Sequence, residues 1–288
     1  MSSAIRVTAC WPGLDNIKHL VVFGDSFSAV GYSSKEEHPS PEHPLGIEIP
    51  GLTSCECVDE TTGEVTFEPN WVGHLVQSVN EMRPQNSLLV YDYAVSGDTV
   101  ARMKLWQVKK EFLPYLAPRP EWAPWTPSDT LFMTWIGIND CTYNLRLQPS
   151  SIDPSFDDLF KSQESMYAAG ARNFCFIDVP PVHTFPKGPK TSRAKDAYAA
   201  WNPMLRRRAE QFSEAHQDAT VLVFSSWDLF NRVLSDPHSV GLPQSTDWET
   251  LFVDGFHPSS VLHRIVSQEI LEFFSNHVRH DLCTSGAP

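Results

Sequence analysis

No run of about 18 consecutive apolar residues occurs in this 288-residue chain, so nothing in it reads as a membrane-spanning helix. Met1 to Cys10 lacks a basic start followed by an apolar stretch, so no secretory leader is legible. Asn-x-Ser/Thr acceptor sites are missing too. These absences lead to the expectation of a cytoplasmic protein, although a secreted form already stripped of its leader fits the same facts. Basic residues are few: 22 Lys and Arg stand against 35 Asp and Glu, a formal charge of −13. Such a surface repels a phosphate backbone, so a nucleic-acid partner is not expected. Cysteine is sparse and scattered, at Cys10, Cys55, Cys57, Cys141, Cys175 and Cys283. A chain this long needs no disulfide framework. Cys175 lies in an apolar run and reads as a buried thiol. The Cys55–Cys57 pair has no second pair nearby, so a zinc site is not expected. There is no Gly-x-Gly-x-x-Gly or Walker-type loop, no internal repeat and no low-complexity tract, so nucleotide binding and solenoid architectures have no support.

What is present is an alternation of short apolar runs and helical patterns. Leu20 to Phe23 reads as a buried strand and stops at Gly24-Asp25-Ser26. Residues 35 to 69 read as a long surface loop and a candidate wall of a site, with His38 and His43 solvated in it. From Asn70, a candidate cap, Trp71, Val72, Leu75, Val76 and Val79 fall at helical spacing. Leu88 to Tyr93 is the next strand, followed by the small-residue loop Ala94 to Thr99 and a helix over Arg102 to Leu116. Further strands are expected at Thr130 to Ile136, Asn173 to Val179 and Ala219 to Phe224. Helices are expected from Asp153, over Ser192 to His216, over Trp227 to Leu234 and over Ser259 to Val278. Strand–helix alternation is the mark of βαβ units. The expectation is a single α/β domain over 1–288: a three-layer αβα sandwich with a mostly parallel five-stranded sheet and residues 1–17 as an N-terminal extension.

In a parallel sheet all strand carboxyl ends share one edge, where ligands bind. Three of these ends carry small or polar loops: Ser26, Gly97, and Gly137 with Asn139. A late loop carries Asp254 and His257. Acyl transfer needs such a set: a hydroxyl nucleophile, a base, a group that orients the base, and donors for the developing oxyanion. Each residue also has a plainer reading. Ser26 suits a helix N-cap. Asp254 and Asn139 suit turns. His257 suits an ordinary loop, and Gly97 a backbone bend. Trp11, Tyr32, Trp135, Trp201 and Trp248 are candidates either for core or for lining a sugar or acyl pocket.

The four blocks resemble the SGNH hydrolases, also called GDSL esterases and lipases. The matching residues are Gly24-Asp25-Ser26 with Phe27 in place of the usual leucine, Gly97 within Ala94 to Thr99, Gly137-Ile138-Asn139-Asp140, and Asp254-Gly255-Phe256-His257-Pro258. Their order agrees as well, over about residues 18 to 278. Trp11-Pro12-Gly13-Leu14 and the stretch Phe23 to Tyr32 look most like fungal acetylesterases of carbohydrate esterase family sixteen. The resemblance implies Ser26 as nucleophile, His257 as base and Asp254 as its orienter. It implies an oxyanion hole from Ser26, Gly97 and Asn139. No metal or organic cofactor is implied. The expected substrate is a small-molecule or carbohydrate ester with a short, acetyl-like acyl group. An acyltransferase or a lipase-like acylhydrolase stands as the alternative, and a non-catalytic carbohydrate-binding relative as a third.

Overall fold

A computed structural model describes residues 1–58, 61–146 and 152–277. In chain order the elements are β1 (Ser3–Arg6), β2 (His19–Gly24), β3 (Glu56–Val58), β4 (Val65–Phe67), α1 (Trp71–Met82) and β5 (Leu89–Asp92). Then come α2 (Val100–Arg102), which runs on into a π-helical segment (Met103–Leu116), β6 (Thr130–Trp135), α3 (Ile138–Arg146) and α4 (Asp153–Ala168). The chain finishes with β7 (Asn173–Ile177), α5 (Ser192–Ala215), β8 (Thr220–Phe224), α6 (Ser226–Ser235), α7 (Trp248–Leu251) and α8 (Ser260–Ser275).

The main sheet runs β1-β8-β7-β6-β2-β5, and every pairing except β1 with β8 is parallel. β2, β6, β7 and β8 are buried along their whole length. That is why they read as near-continuous Val, Leu and Phe runs with no alternation. The sheet is mostly parallel as expected, but it has six strands rather than five. The sixth comes from the supposed N-terminal extension: Ser3 pairs with Val223 and Ala4 with Leu222, antiparallel. Four residues of middling polarity carry little strand signal; the open edge of β8 recruits them. The 35–69 loop likewise holds a small hairpin, β3 against β4. In the same loop His38 is half-buried, with its ring stacked 3.6 Å from that of Trp122, rather than solvated.

Helices cover the sheet in two packed groups, α1 with α8, and α3, α4 and α5 with the π segment. Asn70 caps α1 as its position suggested, accepting from the N–H groups of Val72 and Gly73. Pro203 lies inside α5 without ending it. Pro114 lies inside the π segment, whose wide turn closes with Ala117 N–H donating to Phe112 C=O at 2.9 Å. Trp11, Trp135 and Trp201 belong to the core, not to a pocket; each is fully buried. The C-terminal end of the expected last helix, Val278, and Cys283 fall outside the described residues.

Among the parallel strands the chain order is 2-1-3-4-5, so direction reverses between β2 and β6. Loops leaving two such neighbours turn opposite ways and leave a crevice at their carboxyl ends. Ser26 follows β2 and Asn139 follows β6, which puts both at that crevice. Gly97 follows β5, the other neighbour of β2.

Candidate active site

β2 ends where Gly24 pairs with Trp135, and the chain then turns sharply. Ser28 and Ala29 N–H both donate to Asp25 C=O, at 3.0 and 2.9 Å, so Ser26 sits in a single helical turn at the strand tip. Only glycine fits at 24, because a Cβ there would lie 2.7 Å from the Trp135 carbonyl. Ser26 is buried, and the hydroxyl of Ser54, from the long loop, donates to its C=O at 2.9 Å.

The late loop reaches the same spot. Val253 N–H donates to His257 C=O at 2.9 Å, and Ser259 N–H to Leu251 C=O at 2.9 Å, which closes Asp254 to Pro258 into a tight turn before α8. Gly255 takes φ 80° at its tip. Asp254 Oδ1 accepts the N–H groups of Phe256 and His257 at 2.8 and 2.7 Å. Its Oδ2 lies 2.9 Å from His257 Nδ1, and His257 Nε2 lies 3.1 Å from Ser26 Oγ. Residues 231 positions apart are thus joined in one hydrogen-bonded chain of hydroxyl, imidazole and carboxylate. Partial burial alone would raise the Asp254 carboxyl. The backbone N–H and ring of His257 and the N–H of Phe256 outweigh it and hold the carboxyl below its ordinary range. Phe27 packs edge-on against the His257 ring, with centroids 6.0 Å apart, so the departure from the usual leucine supplies a wall for the imidazole.

The oxyanion candidates lie on the two neighbouring loops. Gly97 has φ 79° and is exposed. Its N–H and that of Ser26 donate to no protein group among the described residues. Two undirected backbone donors beside a strand-tip hydroxyl are what an oxyanion needs. Asn139, in the first turn of α3, donates one Nδ2 hydrogen to the Asp98 C=O at 3.0 Å, so its amide is pinned with the second hydrogen available. Asp140, the next residue, accepts from Val100 N–H at 3.0 Å and from Ser155 Oγ at 3.0 Å, tying this loop to the start of α2. Gly137 is required just before: at φ 122° a Cβ would lie 2.3 Å from the Trp201 ring.

One residue of the network carries no signal in the sequence. Gln107, buried on the π segment, accepts the Gly24 N–H with Oε1 at 3.0 Å. Its Nε2 donates to Gly24 C=O at 2.7 Å and to Asp98 Oδ2 at 2.9 Å. Asp98 in turn takes Arg102 Nε at 2.6 Å. One amide therefore ties the tip of β2 to the loop that carries Gly97. A mid-helix glutamine reads as a solvated residue, and a 14-residue π segment has no recognisable sequence pattern.

His257 and Asp254 line a cleft of about 450 Å³, walled also by Thr53, Ser54, Glu56 and Phe67 of the long loop, by Ser96, and by Val253. Trp248 is exposed and Tyr32 faces a different cavity, so neither lines this cleft.

The family profile described as GDSL-like Lipase/Acylhydrolase matches residues 20–270. An acetylesterase of Thermothelomyces thermophilus is 28 % identical over 280 residues, covering 88 % of this chain and 87 % of that protein. An acetylesterase of Hypocrea jecorina is 24 % identical over 187 residues, covering 57 % of this chain and 48 % of its own length. Among solved structures, the acetylxylan esterase Axe2 from Geobacillus stearothermophilus superposes with a TM-score of 0.59 at 16 % identity, covering 90 % of this chain and 96 % of its own. An α/β hydrolase, LAE5, from the metagenome of Lake Arreo gives 0.57 at 16 %, covering 89 % of this chain and 94 % of that one. At that identity the likeness concerns the fold. The profile spans all four blocks, from the strand before Ser26 to the helix after His257: the chain belongs to the GDSL-like lipase/acylhydrolase family and is a carboxylic ester hydrolase.

Proposed function

We propose that the chain hydrolyses short-chain, chiefly acetyl, esters by a serine mechanism with an acyl-enzyme intermediate. The observation that carries this is the hydrogen-bonded line from Ser26 Oγ through the His257 ring to Asp254, with His257 and Asp254 on the wall of a cleft. Ser26 Oγ attacks the ester carbonyl and gives its proton to His257 Nε2. Asp254, kept ionised, orients the ring through Nδ1 and stabilises the imidazolium that forms. The negative oxygen of the tetrahedral intermediate is held by the N–H groups of Ser26 and Gly97 and the second Nδ2 hydrogen of Asn139. Collapse breaks the carbon–oxygen bond to the alcohol, which leaves with the proton from His257. Water then repeats the cycle and frees the acid. The names of the fungal relatives support acetyl as the acyl group.

Substituting Ser26→Ala is expected to abolish hydrolysis of p-nitrophenyl acetate and labelling by a fluorophosphonate. Retention of both would overturn the assignment. A series of nitrophenyl esters of growing chain length should show kcat/KM falling beyond the shortest acyl groups. A rising series would replace acetyl with a lipase-like preference.

A further inference from the structure

A second cavity, of about 770 Å³, opens next to the catalytic cleft. The Gly97 loop is the partition: Ser96 lines the cleft with His257 and Asp254, whereas Val95 and Asp98 line the larger space. Nothing in the mechanism above uses it.

Two independent features of its walls point to one kind of occupant. The first is an unpartnered indole. Trp106, on the π segment, is 50 % exposed and makes no ring contact among the described residues. Tyr115, on the same segment, also faces the cavity and is 37 % exposed. Flat, half-exposed rings in a concave wall suit the apolar face of a pyranose. The second is charge. The chain as a whole carries −13. This cavity has four cations on its walls, Lys35, Arg102, Lys109 and Lys110, against two carboxylates, Asp98 and Glu111. Both carboxylates are already engaged, Asp98 by Arg102 at 2.6 Å and Glu111 by Lys35 at 3.1 Å. Lys109 and Lys110 enter no ion pair among the described residues, which leaves the wall at plus two. An ammonium pair in the field of an acidic protein is a local attractor for an anion. A long nucleic acid is repelled by the rest of the surface. A lipid tail gains nothing from the two lysines.

We infer that this cavity is a saccharide subsite that takes the non-reacting part of an acylated oligosaccharide bearing a carboxylate, a uronate. The acyl group lies on the Ser26 side of the Gly97 loop. The sugar chain crosses that loop, stacks on Trp106 and sets its carboxylate between Lys109 and Lys110. This rests on the esterase reading and names its substrate class.

The experiment compares p-nitrophenyl acetate, neutral acetylated xylo-oligosaccharides and the same oligosaccharides with a uronate branch. The enzymes are wild type, Trp106→Ala and the double variant Lys109→Glu, Lys110→Glu, each normalised to its own rate on p-nitrophenyl acetate. Wild type should favour the uronate substrate several-fold, through KM, and lose the advantage as salt rises. The double variant should lose or reverse that preference. Trp106→Ala should raise KM for both saccharides roughly tenfold. Titration calorimetry of wild type with the deacetylated uronate oligosaccharide reads the subsite without catalysis, and its heat should vanish in the double variant. Equal kcat/KM on the two saccharides in wild type, or a preference that survives charge reversal, overturns the subsite. So does a change in oligomeric state in these variants with KM unmoved, which would make the patch a contact between copies. Failure on p-nitrophenyl acetate with saccharide binding intact would instead sink the esterase reading.

Discussion

Gln107 shows how much the site depends on one amide. Its Oε1 and both Nε2 hydrogens are used, on the Gly24 N–H, the Gly24 C=O and the Asp98 carboxylate. Replacing it with leucine strands the buried Gly24 N–H, worth about 1–3 kcal/mol when unsatisfied, and leaves the Gly24 C=O with only the Val95 N–H and the Asp98 carboxylate with only Arg102 among the described residues. Gln107→Leu is therefore expected to lower kcat at least roughly tenfold with KM nearly unchanged, because the tip of β2 and the Gly97 loop lose their shared tie. Steady-state kinetics beside a melting curve decide it: a lowered Tm with kcat intact would leave Gln107 a purely structural residue. On the proposed mechanism the Asn139 amide, which also holds the Asp98 C=O, donates to the developing oxyanion, so Asn139→Ala should lower kcat by on the order of 10²–10³ with little change in KM. Gly137→Ala belongs to a different class. The new Cβ meets the buried Trp201 ring at 2.3 Å in a backbone conformation that side chains avoid. A stability loss above about 3 kcal/mol by denaturant titration is the expected outcome.

Edges and loops bear their own consequences. β1 closes the β8 side of the sheet, and Arg206 Nη1 donates to Ser3 Oγ at 2.5 Å to hold it there. Deleting residues 1–7 should expose an apolar strand edge, lower Tm and promote aggregation. KM for a small ester should not move, because the catalytic loops lie at the carboxyl ends of strands further along the sheet. A KM change without a stability change would contradict this account. The long loop before α1 works differently. It reaches the site through Ser54, whose hydroxyl donates to the Ser26 C=O. It also supplies Leu52, Thr53, Glu56 and Phe67 to the cleft. Its variation is therefore expected to alter substrate range more than stability.

The protein as a whole should be most stable over an intermediate pH range, because two fully buried groups titrate in opposite senses. Burial pushes the Asp25 carboxyl up to about 7, with Asp140 and Asp98 adding to the rise against the Phe27 N–H. Unfolded, it would ionise near pH 4. The folded state holds the proton more tightly, so stability is lost as pH rises from about 4 through about 7. Burial pushes His263 down to about 3, helped by His74 and His257. Unfolded, it would protonate near pH 6.5, so its contribution is complete above that and is lost as pH falls toward about 3. Each slope is at most about 1.4 kcal/mol per pH unit. Thermal melts across pH should lose the fall toward about pH 3 for His263→Leu and the fall between about pH 4 and 7 for Asp25→Asn. Unaltered profiles would remove these groups from the account. Asp254 is held below the ordinary carboxylate range, so its protonation should not limit activity above about pH 4, which a pH–rate profile checks.

The order of strands and helices, the three loops at strand ends and the late Asp-x-x-His turn were all legible in the chain, because buried parallel strands and amphipathic helices write their periods directly into residue order. Gly24, Ser26, Asn139 and His257 could be singled out since each breaks such a period with a residue type that has chemical use. What residue order could not convey is anything made by partners far apart. The sixth strand exists because β8 offers an open edge. The buried role of Gln107 depends on a helix packing beside the tip of β2. Trp135 and Trp201 became core while Trp106 stayed exposed, since the face an indole presents follows from what packs around it. Folding alone set the 3.1 Å between Ser26 and His257 and divided the space around Gly97 into two cavities, because local propensity carries no information about distances across 231 residues of chain.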